Sequence, residues 1–300
     1  MRNVLSVDVE DYYQVEAFAG QVPRDRWDSF ASRVEGNVGR ILDLFDKHEV
    51  KATFFVLGWV AEHSPGLVRK IAARGHEIGC HGFGHQRLHS LTPEQFRQDL
   101  RAARARLMDE VQCSLLAYRA PNFSITKSTL WAFDILAEEG FTCDSSVFPV
   151  RHDFYGIPDA PRFPHWHQTP QGNSVFEFPP STIRVLNSNI GIAGGGYLRL
   201  APYAVTRRAI RHINEKEKQP VMVYFHPWEI DPGQPRIQAP LRSRLRHYTN
   251  LSRMEDKIER LLRDFRFAPL SEVCGNLSAG IATTKKLNAV SHAPGAHPGA

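Results

Sequence analysis

Apolar residues recur through the first half of the chain in short unbroken runs that alternate with stretches of helical period. Val4 to Val7 reads as a buried strand that delivers Asp8, Lys51 to Leu57 as a second and His76 to Cys80 as a third, with Leu115 to Arg119 and Phe141 to Asp144 following. Helices fall between them. Val38 to His48 has i, i+3, i+4 apolar spacing, and Trp59 to Arg74 stops at Gly75. Pro93 to Glu110 starts behind a Thr92 N-cap, and Lys127 to Glu139 ends at Gly140. This alternation predicts a parallel sheet with crossover helices. Ionisable residues stand repeatedly at strand ends (Asp8, His81, Arg119 and Asp144), which predicts an α/β fold of distorted (β/α) barrel type with those ends converging on one face.

The pattern then changes. Arg151 to Gly196 is rich in Pro, His, Gly and aromatic residues with little periodicity, and predicts a long insertion able to roof a substrate groove. Helical spacing returns over Ala201 to Lys218, an apolar run from Pro220 to Phe225 ends in His226, and Asn250 to Phe265 predicts a last helix. The expected organisation is a catalytic domain over 1–230, a helical extension packed on it over 231–276, and a disordered tail over 277–300.

Composition narrows the picture in three respects. With 300 residues, 42% hydrophobic and 23% charged, the chain has ample material for a packed core. The net charge of +5 comes from 37 basic and 32 acidic residues that are intermixed, so no nucleic-acid partner is expected, and the Arg-rich stretch from Arg236 to Arg266 reads as an exposed face. The four cysteines form no CxxC pair, which argues against a zinc knuckle or disulfide framework and favours a reducing compartment. No run approaches the roughly 20 apolar residues of a spanning helix, and the apolar start is too short for a signal-peptide core, so a cytoplasmic location is expected.

His81 and His85 stand four positions apart, close to one helical turn, a spacing that suits one divalent metal. Asp8-Val9-Glu10-Asp11 ends the first strand and offers the carboxylate that often joins two histidines at a metal. On an extended strand Asp8 and Glu10 share a face, while Asp11 reaches the same place if the backbone turns after Val9. Tyr12, Tyr13, Trp166, Tyr197 and Trp228 lie in or beside the polar segments, where they either stack on sugar rings or pack in the core. Gly194-Gly195-Gly196 lacks the following Lys-Ser/Thr of a phosphate loop and reads as a tight backbone path.

Taken in order, Ser6-Val7-Asp8-Val9-Glu10-Asp11, His81-Gly82-Phe83-Gly84-His85, Tyr118-Arg119-Ala120-Pro121, Cys143-Asp144-Ser145-Ser146 and Val223-Tyr224-Phe225-His226-Pro227 resemble the five motifs of the carbohydrate esterase family 4 (NodB-homology) polysaccharide deacetylases. Gly194 to Arg199 and Arg246 to Asn250 are similar to the branch linked to exosortase-associated exopolysaccharide systems.

The resemblance implies removal of N-acetyl groups from a carbohydrate. Asp8 would be the general base that takes a proton from the attacking water, oriented and kept ionised by Arg119. His226 would be the general acid, with Asp144 its partner, and His81 and His85 would hold one divalent ion, Zn²⁺ for preference. Val9 stands where the commonest pattern has a second aspartate. The Asp-x-acid spacing of a related branch, which includes allantoinase-like amidohydrolases, makes Glu10 the third ligand and leaves Asp11 as the alternative. Asn122 replaces a common Tyr, where a backbone N–H would serve as oxyanion donor. Hydrolysis of small amides, or carbohydrate binding without catalysis, are the competing functions, and a homo-oligomer is left open.

Overall fold

Residues that can bury both faces build the centre of the molecule. In the computed structural model, which describes residues 1–152, 155–192 and 194–278, every position of β1 (Asn3–Val9), β2 (Thr53–Val56) and β10 (Met222–Phe225) is buried, as expected for strands of a parallel sheet covered by helices. With β3 (Glu77–Cys80), β4 (Ala117–Tyr118), β5 (Cys143–Asp144), β7 (Ser174–Glu177) and β6 (His165–Gln168) they form one curled sheet in the order β10-β1-β2-β3-β4-β5-β7-β6, and β11 (Phe267–Ala268) also pairs with β1. All neighbours are parallel except β6 and β7. The distorted barrel is thus an open half-barrel, with β10 and β6 at its ends.

Helices α1 (Val34–Lys47), α2 (Gly58–His63), α3 (Leu67–Ala73), α4 (Pro93–Glu110) and α5 (Ala132–Glu138) supply the crossovers. Their apolar faces meet the sheet in a core that includes Val38, Phe45, Phe54, Ile71, Leu100 and Phe133, each fully buried side chain contributing roughly 1.5–3 kcal/mol. Helix α4 begins as its sequence dictates, because Thr92 and Gln95 satisfy each other's backbone N–H in a capping box. The single helix expected over Trp59 to Arg74 is two helices: Pro65 cannot continue the ladder, and Gly66 at φ +84° turns the chain between them.

The stretch from Arg151 to Gly196 is not a structureless insertion. It places β7 and β6 on the sheet beside β5 and forms a hairpin from β8 (Thr182–Val185) and β9 (Ser188–Gly191). Helices α6 (Gly195–Leu200), α7 (Tyr203–His212), α8 (Leu241–Tyr248) and α9 (Met254–Asp264) complete the fold. The segment after 230 is helical yet also lends β11 to the main sheet. A helix over 270–278 includes the first two residues of the expected tail, and the rest of that tail lies outside the described residues. Among the described residues no helix is long and apolar enough to cross a membrane.

Candidate active site

The C-terminal ends of β1, β3, β4 and β10 open into a cleft of about 780 Å³ whose floor holds Asp8, Glu10, His81, His85 and His226. Arg119, fully buried at the end of β4, fixes the first of these: its Nη1 donates to Asp8 Oδ1 at 2.6 Å and to Ser6 Oγ at 2.8 Å. The rest of the guanidinium is spent on Ser145, through O at 3.1 Å and Oγ at 2.9 Å, and on the face of Phe55, 4.2 Å away. A buried cation with this many partners is rigid, and it holds one carboxylate oxygen of Asp8 while leaving the other toward the cleft.

The run His81 to His85 is a loop, not the helical turn suggested by its spacing. Gly82 at φ +74° and His85 at φ +53° reverse the chain and bring the two rings to 5.5 Å, while Asp99 anchors the bend by accepting from Phe83 N at 2.9 Å. Arg24 donates to the His85 carbonyl at 3.2 Å. A carbonyl only accepts, so His81 Nδ1, 2.8 Å from Arg119 O, carries the proton, and Nε2 is left with the lone pair. Burial pushes the His81 imidazole down to about 4 against the pull of Asp8, so it is neutral at pH 7, the form that binds metals.

Glu10 follows β1 and joins this pair. Its Oε2 lies 2.8 Å from His85 Nε2, and one ligand atom from each of Glu10, His81 and His85 falls within 4.8 Å of the others. Burial raises the Glu10 carboxyl, but the neighbouring charges of His85 and His226 outweigh it and hold the group at about 2. Asp11, the alternative ligand, turns the other way. Its carboxylate accepts from Tyr12 N, Ser32 Oγ, Arg33 N and Val34 N, where it caps the start of α1.

His226 completes the floor, with Nε2 3.4 Å from Glu10 Oε1 and 3.9 Å from Asp8 Oδ2. Its partner is Glu229, not Asp144. Fully buried Glu229 accepts from His226 Nδ1 at 2.6 Å and faces Arg199 Nε at 3.3 Å. Burial lowers the His226 imidazole, but Glu10 and Glu229 override it and raise the group to about 9. Asp144 is on β5, with four strands between it and β10. It accepts from Ser146 N at 2.9 Å and Ser146 Oγ at 2.7 Å, and that hydroxyl in turn accepts from Ala120 N at 2.8 Å. The fourth motif therefore braces the Arg119 loop.

Of the aromatic residues, Tyr12 and Tyr13 are buried in the core. Trp166 packs on Phe176 and is absent from the cleft wall, which Tyr197 and Trp228 do line. Trp228 stacks between His226 at 5.1 Å and His247 at 4.1 Å and donates to Glu10 Oε1 at 3.3 Å.

The donor set fits a divalent cation. Glu10 Oε2 is buried and accepts no well-formed hydrogen bond although His85 Nε2 lies 2.8 Å away, which leaves a buried carboxylate oxygen for a cation to satisfy. Two imidazoles and one carboxylate with room for further ligands suit Zn²⁺ and related ions.

Comparison with known proteins agrees with this geometry. Residues 27–140 match the family model described as polysaccharide deacetylase. Residues 27–140 carry a polysaccharide deacetylase domain. Residues 145–275 match a second model, a domain of unknown function (DUF3473), and that part supplies His226, Glu229 and Arg199 to the cleft of the deacetylase domain.

A peptidoglycan-N-acetylglucosamine deacetylase of Bacillus cereus is 38% identical over 84 residues, covering 28% of this chain and 28% of that protein. A chitooligosaccharide deacetylase of Sinorhizobium fredii is 36% identical over 97 residues, covering 32% of this chain and 42% of that one. The matched segments thus span less than half of either relative. A crystal structure described as a polysaccharide deacetylase from Mycobacterium smegmatis superposes with a TM-score of 0.61 at 20% identity, over 93% of this chain and 91% of that one. PuuE allantoinase gives 0.56 at 15% identity, over 92% and 89%. Both share the fold.

Glu229 and Arg199 are the site residues that sequence reasoning missed. The i, i+3 spacing of His226 and Glu229 was the available signal, since it lets a short turn bring carboxylate and imidazole together.

Proposed function

We propose that this chain is a metal-dependent hydrolase that removes N-acetyl groups from N-acetylhexosamine units of a bacterial exopolysaccharide or its precursor. One observation carries the reading: Asp8 and His226, two groups able to move protons, stand 3.9 Å apart beside the Glu10, His81 and His85 set. A divalent ion held by those three residues supplies Lewis-acid polarisation of the acetamide carbonyl and an acidified water.

The chain's own groups do the rest. Asp8, with Oδ1 held by Arg119, takes the proton of the attacking water on Oδ2. His226 gives the proton on Nε2 to the departing amine, which is a very poor leaving group unprotonated, while its Nδ1–H stays on Glu229. Asn122, at φ 56° on the cleft wall, would offer its backbone N–H to the oxyanion that forms. Tyr197 offers a ring face for a sugar.

The test is acetate release from N-acetylglucosamine oligomers by protein purified without chelator, with bound metal measured by elemental analysis. Metal near one per chain and acetate release that stops on chelation are expected. Metal without acetate release from any N-acetylated saccharide would overturn the substrate assignment, and absence of metal would overturn the mechanism.

A further inference from the structure

Helix α8, Leu-Arg-Ser-Arg-Leu-Arg-His-Tyr, contains no acid and stands at the mouth of the cleft. Leu241 and Leu245 lie one turn apart and are 68% and 57% exposed, and Arg242, Arg244 and Arg246 are exposed as well. On a 3.6-residue helix the two leucines form one stripe, Arg242 and Arg246 form the next stripe on the cleft side, and Arg244 flanks the leucines on the other side.

Leu200, 57% exposed at the end of α6, lines the same mouth. The two helices are locked together, since Arg199 donates to Arg246 O at 2.9 Å and Asn250 donates to Arg199 O at 3.1 Å. Among the described residues Arg242 and Arg244 have no acidic partner, and Arg246 meets only the His152 ring at 3.4 Å. Glu16, on the cleft wall, is engaged with Arg87 at 3.5 Å.

A lone exposed leucine is ordinary on a protein surface. Three of them on α8 and the neighbouring end of α6, beside three arginines and with no carboxylate on either helix, have the composition of an interfacial surface. We propose that this rim seats on an anionic lipid bilayer, so that the cleft mouth faces the membrane. Arginine forks bind headgroup phosphates, and the leucines enter the acyl boundary between them. A soluble polyanion would use the arginines and leave the leucines in water. A second copy of the chain would cover the leucines but bring two arginine sets together. The bilayer accounts for both residue types, and this contact is independent of the catalytic reading.

Cosedimentation of the full chain with phosphatidylcholine vesicles, with and without phosphatidylglycerol, tests it. Binding that requires phosphatidylglycerol and weakens as salt rises is expected, and it should fall about tenfold or more in a Leu241→Ser/Leu245→Ser double variant. An Arg242→Glu/Arg244→Glu variant, checked for an unchanged melting temperature, should also lose binding. Absence of phosphatidylglycerol-dependent binding overturns the proposal. Undiminished binding by the leucine variant does too, since it would make the rim a polyanion site. So does a solution dimer that the leucine variant dissociates, if the parent ignores vesicles.

Discussion

Glu229 accepts the Nδ1 proton of His226 at 2.6 Å and is itself in contact with the Arg199 guanidinium, so the imidazole that overhangs Asp8 and Glu10 has its ring plane and its tautomer set from behind. Removing such a support costs activity without removing the reacting group. Glu229→Ala is expected to lower kcat for acetate release by about 10- to 100-fold with little change in KM, and Glu229→Asp to recover part of the loss. His226→Ala should lose about 10²- to 10⁴-fold. Steady-state kinetics on an N-acetylglucosamine oligomer distinguishes these cases, and a Glu229→Ala enzyme with full kcat would remove Glu229 from the mechanism.

Asp8 and His81 separate proton transfer from metal binding. Asp8→Asn keeps the oxygen that Arg119 holds and leaves Glu10, His81 and His85 in place, so it should retain its ion and lose acetate release by about 10²-fold or more. His81→Ala should lose both. Elemental analysis of the two variants beside the parent decides, and loss of metal from Asp8→Asn would make Asp8 a ligand.

Away from the floor, Asp144 and Glu177 form a buried carboxyl pair. Burial and the charge of Asp144 push the Glu177 carboxyl well above its ordinary value. A carboxyl raised in the folded state contributes its stability below the unfolded value near 4.5 and loses it as pH climbs toward the folded value. Glu177→Gln keeps an oxygen for Val147 N, 3.0 Å from Glu177 Oε1, and removes the titration. The variant is expected to exceed the parent in stability by about 1–2 kcal/mol at pH 8, with the difference vanishing toward pH 4, below the unfolded value. Urea melts at the two pH values measure it, and equal stability at both would refute the pairing.

Gly194 has an extended backbone that any residue adopts, yet a Cβ there would land inside the ring of Tyr224. Tyr224 is packed against Phe123 at 4.9 Å and stands 5.4 Å from the Arg119 guanidinium, so it cannot retreat without disturbing the group that holds Asp8. Gly194→Ala should therefore cost about 2–3 kcal/mol of stability, whereas Gly196→Ala, inside α6 where a Cβ meets open space, should cost nothing or gain up to about 1 kcal/mol. Thermal melts of both variants test the contrast.

Those positions show what the sequence could and could not convey. The strand ends were legible because a run such as Val4 to Val7 has to be buried on both faces, which leaves Asp8 at the rim. Asp8, His81, Arg119 and His226 meet for that reason. The edge of the sheet was not legible: β6 reads His-Trp-His-Gln, half-buried and exposed by turns, and a polar edge strand gives no apolar run to detect. The partner of His226 was misread because motif order says nothing of strand order. Asp144 is separated from β10 by four strands, whereas Glu229 is three residues away on the same turn. Glu10 and Asp11 were told apart only by the capping of α1, a contact across more than twenty residues.

Strand β1 is made before every other strand of the sheet and lies one place in from its end, between β2 and β10. Its inner edge is matched once residue 56 has been made, but its outer edge waits for Met222, the partner of Val4. For most of synthesis, then, an apolar strand carries unpaired N–H and C=O groups along one side. Asp8 and His226 can meet only when the chain returns to that edge, so a nascent molecule has no complete proton-transfer pair until β10 has paired with β1.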